Sequence, residues 1–151
     1  MKRSALLALI TWLLSASMAL AASSIVTTLD THGQGITVAT ITCTAHTNGV
    51  FTTTSTGPLE GYLVRATTNP GTAPTTDYDI TLIDRTGADV MGGTLTDRSA
   101  TVTETVVPKL HDDGTDRVYG GVLIRGGLDV TIANNSVNSA VVVIYLFIER
   151  P

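Results

Sequence analysis

The sequence predicts an all-β fold: a single-domain antiparallel β-sandwich, jelly-roll-like or immunoglobulin-like. Three observations carry that prediction. Apolar and polar residues alternate with period two, β-branched residues dominate with Thr above all, and Gly, Asn and Pro turns punctuate the runs. The branched Cβ of Thr suits a half-buried strand, while its hydroxyl suits the solvent face. No helical period is present after the N-terminal segment.

Taken in order, strands are expected at Ser24 to Leu29, Gly35 to Thr44, Val50 to Thr54, Leu59 to Thr67 and Tyr78 to Ile83. Four more follow at Thr101 to Val107, Val118 to Arg125, Leu128 to Ala133 and Ala140 to Glu149. In Gly35 to Thr44 the apolar phase slips between Val38 and Ile41, which predicts a bulge at Ala39-Thr40. Asn48-Gly49 and Gly126-Gly127 read as short hairpin turns, and Asn69-Pro70-Gly71 as a turn in which Pro fixes φ before Gly. The polar stretch Asp84 to Asp89 should reverse the chain, and Gly92-Gly93 and Gly120-Gly121 read as strand breaks. The last run, Ala140 to Ile148, is apolar on both faces, so it belongs in the centre of a sandwich or at a subunit interface. Left as a free edge it would promote aggregation.

Residues 1–21 read as a secretory signal peptide and residues 22–151 as the β-sandwich domain. Met1-Lys2-Arg3 supplies the positive start, Ala5 to Leu14 the apolar stretch and Ala19-Leu20-Ala21 the small-x-small cleavage site. The apolar run is shorter than the roughly 20 residues a membrane-spanning helix needs, so no stable membrane insertion is expected once the leader is cleaved. Removing Lys2 and Arg3 takes the formal net charge from -4 to -6. Such a domain lacks the cationic surface that nucleic acid or anionic lipid would require. The immunoglobulin signature is missing, because Trp12 in the leader is the only Trp and Cys43 the only Cys. A lone Cys forbids an intrachain disulfide, and its phase with Ile41 predicts a buried thiol.

Candidate chemistry is sparse. His111-Asp112-Asp113-Gly114-Thr115-Asp116 gathers the most ligand-type side chains, and Asp112, Asp113 and Asp116 are weak calcium candidates beside the simpler reading of a solvated turn. Asp77 and Asp79 flank Tyr78 on one strand face, as paired carboxylates or as a wet face. His32, His46 and His111 lie in separate predicted loops without zinc-ligand spacing, and no nucleophile elbow or phosphate loop occurs. No catalytic residue, cofactor or resident metal is therefore expected, and the chain reads as a non-enzyme.

The block Thr68-Asn69-Pro70-Gly71, Ala73-Pro74, Asp77 to Leu82, Asp84, Gly87, Asp89 and Gly92-Gly93 resembles a pattern in small virion-associated proteins, of decoration or structural type, from tailed bacteriophages and prophages. The resemblance extends from Glu60 onward, through Asp97-Arg98-Ser99 to Val107-Pro108, and ends on the apolar strand Val141 to Phe147. It implies a non-enzymatic structural protein, a homo-oligomer that is a trimer by analogy, with the major capsid protein or other virion proteins as partners. Val141, Val143, Tyr145 and Phe147 are the expected interface residues. Location in a virion follows if the leader is retained, and periplasmic or secreted location if it is cleaved. The competing reading is an exported β-sandwich binding module for a glycan or calcium.

Overall fold

The computed structural model describes residues 23–32, 35–72 and 74–150. The predicted leader, 1–21, lies outside them. Every regular element among the described residues is a β-strand, and every pairing is antiparallel.

The large sheet runs in the order β1 (Ser24–His32), β2 (Ile36–Thr44), β11 (Val141–Glu149), β4 (Leu59–Pro70) and β6 (Glu104–Val106); β9 (Val122–Gly126) pairs with the first half of β4. A small sheet holds β3 (Thr54–Ser55), β10 (Asp129–Ala133) and β5 (Asp79–Ile83), and a separate hairpin joins β7 (Lys109–Asp112) to β8 (Arg117–Tyr119). Asp89 to Arg98 runs irregularly along the other side of β5, through Val90 N–H to Leu82 O, Ile80 N–H to Leu95 O and Arg98 N–H to Tyr78 O at 2.8–2.9 Å.

Both sheets contribute to one core. Ala39, Ile41 and Cys43 of β2, Val142, Ile144, Leu146 and Ile148 of β11, and Leu63 and Ala66 of β4 form its large-sheet side. Ile80 and Leu82 of β5 and Val130 and Ile132 of β10 meet them in the same cluster, with Tyr78, Met91 and Leu95 filling beside them. The period-two pattern produces this directly: alternate residues of β2 and β11 are buried, and those between them are half-buried.

Five expectations need correcting. Strand β2 stays in register with both neighbours along its whole length, so no bulge falls at Ala39-Thr40; Thr37 occupies the inward phase and Ile36 and Val38 point outward. The irregularity lies instead between β11 and β4, at Phe147/Ile148. Val50 to Thr54 is a strand only at Thr54–Ser55, because the Thr52 N–H is taken by the Ser23 hydroxyl at 3.0 Å. Thr101 to Val107 shortens to β6, because the Ser99 hydroxyl accepts the Thr101 and Val102 N–H groups and holds a turn. Val118 to Arg125 is cut in two at Gly120-Gly121, where the Gly120 N–H bonds to Pro108 O at 3.0 Å. Gly126-Gly127 joins strands of different sheets and is no hairpin turn.

Gly61 carries a specific constraint. Its φ is +134°, and a Cβ there would land on the Glu149 carbonyl across the ladder. Gly87, at φ +86°, has open space around it. Gly61→Ala should cost about 2 kcal/mol or more, backbone strain plus a backbone clash, whereas Gly87→Ala should cost about 1 kcal/mol from φ alone. Urea unfolding of the two variants checks this order, and equal losses would refute it.

Candidate functional site

The four apolar residues singled out on the last strand share one surface. β11 is the middle strand of the large sheet, flanked by β2 and β4, and Val141, Val143, Tyr145 and Phe147 take the phase opposite to the core. Each is half-buried by its flanking strands. Val143 stands between Thr42 and Asn69, Tyr145 between Thr40 and Thr67, and Phe147 between Val38 and Arg65. The Arg65 guanidinium lies 3.8 Å above the Phe147 ring centroid, a cation–π contact that holds the ring's edge of the stripe in place. Farther out, the Thr67 hydroxyl bonds to that of Thr105 at 2.8 Å, and Val26 on β1, 57% exposed, sits beside Thr42. Valine, tyrosine and phenylalanine thus form a stripe between rows of threonine on an outward face.

The predicted acidic cluster occupies the tip of the β7–β8 hairpin. Asp112 pairs with Lys109 at 3.0 Å and Arg117 at 3.6 Å, and accepts the Gly114 N–H. The Lys109 hydrogen bond is the main reason its carboxyl is held below the ordinary 3.8. Asp113 accepts the Asp116 and Thr115 N–H groups at 2.7 and 2.9 Å, and the first of these contributes most to lowering its pKa. Asp112 and Asp113 therefore serve their own turn, while the Asp116 carboxylate has no partner among the described residues. Among those residues no group of three or more His, Cys, Asp or Glu side chains could hold a metal ion.

The remaining candidates stay apart. Asp77 sits in a left-handed conformation at φ 62°, and Asp79 accepts the Asp97 N–H at 2.8 Å and the Asn134 side-chain amide at 2.6 Å, so the two do not form a carboxylate pair. His32 ends β1 beside Asp30, His46 bonds to the Thr47 hydroxyl, and His111 lies on β7 near Asp113. Cys43 is fully buried, and desolvation pushes its thiol up to about 12. A thiol so held is protonated and inert.

Two features escaped the sequence reading. One is the β7–β8 hairpin, whose short strands interrupt their alternation with charged residues. The other is a buried pair of hydroxyls: Tyr78 and Thr68 are fully buried, and neither hydroxyl has a partner within hydrogen-bond distance. Desolvation raises the Tyr78 phenol to about 12.

Compared with family models, with curated proteins and with solved structures, the chain finds no match.

The two buried acids set an alkaline limit. Cys43 ordinarily ionises at 9.0 and Tyr78 at 10.0, so above those values the unfolded chain loses protons that the folded chain retains up to about 12. Stability should therefore fall as pH rises from 9 toward 12. Urea titrations between pH 8 and 11 should show a shallower decline for Cys43→Val, beginning at 9; an unchanged slope would show that the thiol is not the cause.

Proposed function

We propose that this chain is a non-enzymatic structural subunit, a jelly-roll sandwich that self-associates through the outer face of its large sheet, and that the assembly it joins is a virus particle. The observation that carries the self-association is the stripe of Val143, Tyr145 and Phe147, half-buried on the outer face along the middle strand and bordered by Val38, Ile36 and Thr rows. Outward residues of a half-solvated sheet are ordinarily polar. Here the central strand carries its largest aromatic side chains on that side.

Strand order supports the scaffold. The sequence β2-β11-β4-β6 in one layer, with β3-β10-β5 and then the Asp89 to Arg98 segment in the other, follows the two-Greek-key order of a jelly roll, with β1 added beside β2. Jelly rolls recur in capsid proteins and in lectins, so the fold by itself decides nothing about function. The assignment to a virus particle rests on the resemblance in the Thr68 to Gly93 block. A calcium or glycan module draws less support, because Asp112 and Asp113 are engaged by their own turn and several aromatic side chains are spent on core and stripe.

At roughly 25 cal/mol per Å², an interface of ~1,600 Å² has ample gross apolar driving force, from which association costs subtract. Tyr145→Asp or Val143→Asp puts a carboxylate into that contact without touching the inward row. Sedimentation should then shift to the monomer while the melting temperature stays within a few degrees. An unchanged sedimentation profile overturns the interface. Mass spectrometry of the native protein separates the locations, an intact Met1 end in particles supporting the virion component and a start near Ala22 outside the cytoplasm supporting export.

A further inference from the structure

We propose that two copies of this chain exchange their β7–β8 arms across a two-fold axis, each arm lying over the other copy's β9 edge with its acidic tip in the groove bordered by Arg85 and Arg125. This contact is separate from the outer-face stripe and does not rest on it.

The arm is exposed along its length. Apart from half-buried Lys109, every residue of β7 and β8 is exposed. A two-stranded hairpin alone is at best marginally stable in water, so an arm of this kind gains order from what it lies against. Its apolar side chains are exposed as well: Leu110 is 51% exposed, Val118 48% and Tyr119 52%. With Val107 at its root and Leu123 on β9, five of the ten large exposed apolar side chains among the described residues fall within this short stretch. β9 pairs only with β4, so its other side is a free edge among the described residues.

Charge selects the occupant. Lys109 and Arg117 both direct their charge to Asp112; at the tip Asp113 has only the His111 ring nitrogen beside it, at 3.6 Å, and Asp116 has no partner among the described residues. At the far end of β9, Arg85 and Arg125 border a concavity of about 220 Å³ with Leu123, Gly126, Gly127 and Asp84. Neither arginine makes an ion pair or a side-chain hydrogen bond among the described residues. The Asp84 carboxylate on the same rim accepts the Thr86 N–H and hydroxyl and the Ala88 N–H, so it is engaged within its own turn while the two guanidinium groups are not. Glu60 lies opposite Arg125 on β4 without closing an ion pair with it.

Position selects the symmetry. The arm's root joins one end of β9 through Gly120-Gly121, and the arginine groove lies at the other end. An antiparallel two-fold axis through the β9 edges therefore presents each arm to the other copy's groove, giving two equal contacts that close the dimer. Steering of the acidic tips toward the arginines predicts association that weakens with salt.

The test uses two charge-reversed variants of the full chain, Arg85→Glu/Arg125→Glu and Asp113→Arg/Asp116→Arg. In analytical ultracentrifugation each alone should self-associate about tenfold or more weakly than wild type, since both of its contacts become like-charged. Mixed one to one, the pair should regain the dimer, because both contacts in the heterodimer are then complementary. Failure of the mixture to dimerise, or undiminished association of either variant alone, overturns the arm exchange. Asp113 also serves its turn, so Tyr119→Ser provides a second variant that leaves the tip intact and should likewise weaken the dimer. Tyr145→Asp run in parallel separates the two interfaces: its effect without any effect of the charge variants leaves only the outer-face contact standing, and the reverse leaves only the arm.

Discussion

Position in the sheet makes β11 the strand on which the rest of the structure depends. It is the last strand among the described residues, yet it pairs along its length with both β2 and β4. The large sheet therefore cannot close before β11 joins it, and most of its ladder is between residues far apart in sequence. In exchange, Val142, Ile144, Leu146 and Ile148 are buried in one unbroken inward row. At about 2 kcal/mol for each fully buried aliphatic side chain, that row supplies several kcal/mol of gross apolar stabilisation, comparable with the whole net stability of a domain. A continuous apolar run is the sequence form this position requires, since a central strand has neighbours on both sides and cannot rely on polar residues at its edges.

Period two was enough to find β2, β4, β5, β10 and β11 and to place Cys43 in the core. Alternation reports which residues share a face, and in these strands one face is buried strongly enough to enforce it. The bulge inferred at Ala39-Thr40 shows the limit of that signal: Val38 is apolar and points outward, because the large sheet's outer face is itself partly apolar. Thr37, a residue that reads as surface, takes the inward place. Where polar side chains compete for the backbone the pattern also failed, at Ser99 and at Ser23 with Thr52, since a hydroxyl bonding an N–H removes it from the ladder. Pairing between sheets was not legible at all. Gly126-Gly127 has the composition of a tight turn, and only tertiary packing sends the strands on either side of it to different layers.

The candidate surfaces were legible unequally for the same reason. Val141, Val143, Tyr145 and Phe147 could be named from sequence because they alternate with the core row, but their outward direction depends on β11 lying in the middle of the sheet. The β7–β8 arm was not legible, since His111, Asp112 and Asp113 read as loop chemistry. That reading remains right for Asp112 and Asp113, whose carboxylates hold their own turn. The carboxylates at Asp84 and Asp89 do the same in the turns that follow β5, accepting N–H groups of Ala88, Met91 and Gly93. Several acidic residues are thus structural, and among the described residues no group of three or more His, Cys, Asp or Glu side chains could hold a metal ion.

The two edges of the large sheet are treated differently, and the contrast argues for which one receives a neighbour. On one side β1 offers nine residues of continuous strand with Val26 and Leu29 exposed, but Thr27 and Thr28 separate those two and Asp30 and His32 stand at its end. Charge and interrupted hydrophobicity are the ordinary means of keeping an edge from pairing. On the other side the edge is divided into short β6 and β9, separated by the projecting arm, and more exposed apolar residues gather there. Short strands limit indiscriminate pairing, while exposed Leu110, Val118, Tyr119 and Leu123 supply an energetic reason for one specific contact. An edge defended by charge and an edge left apolar but interrupted are compatible with assembly through the second and exclusion at the first.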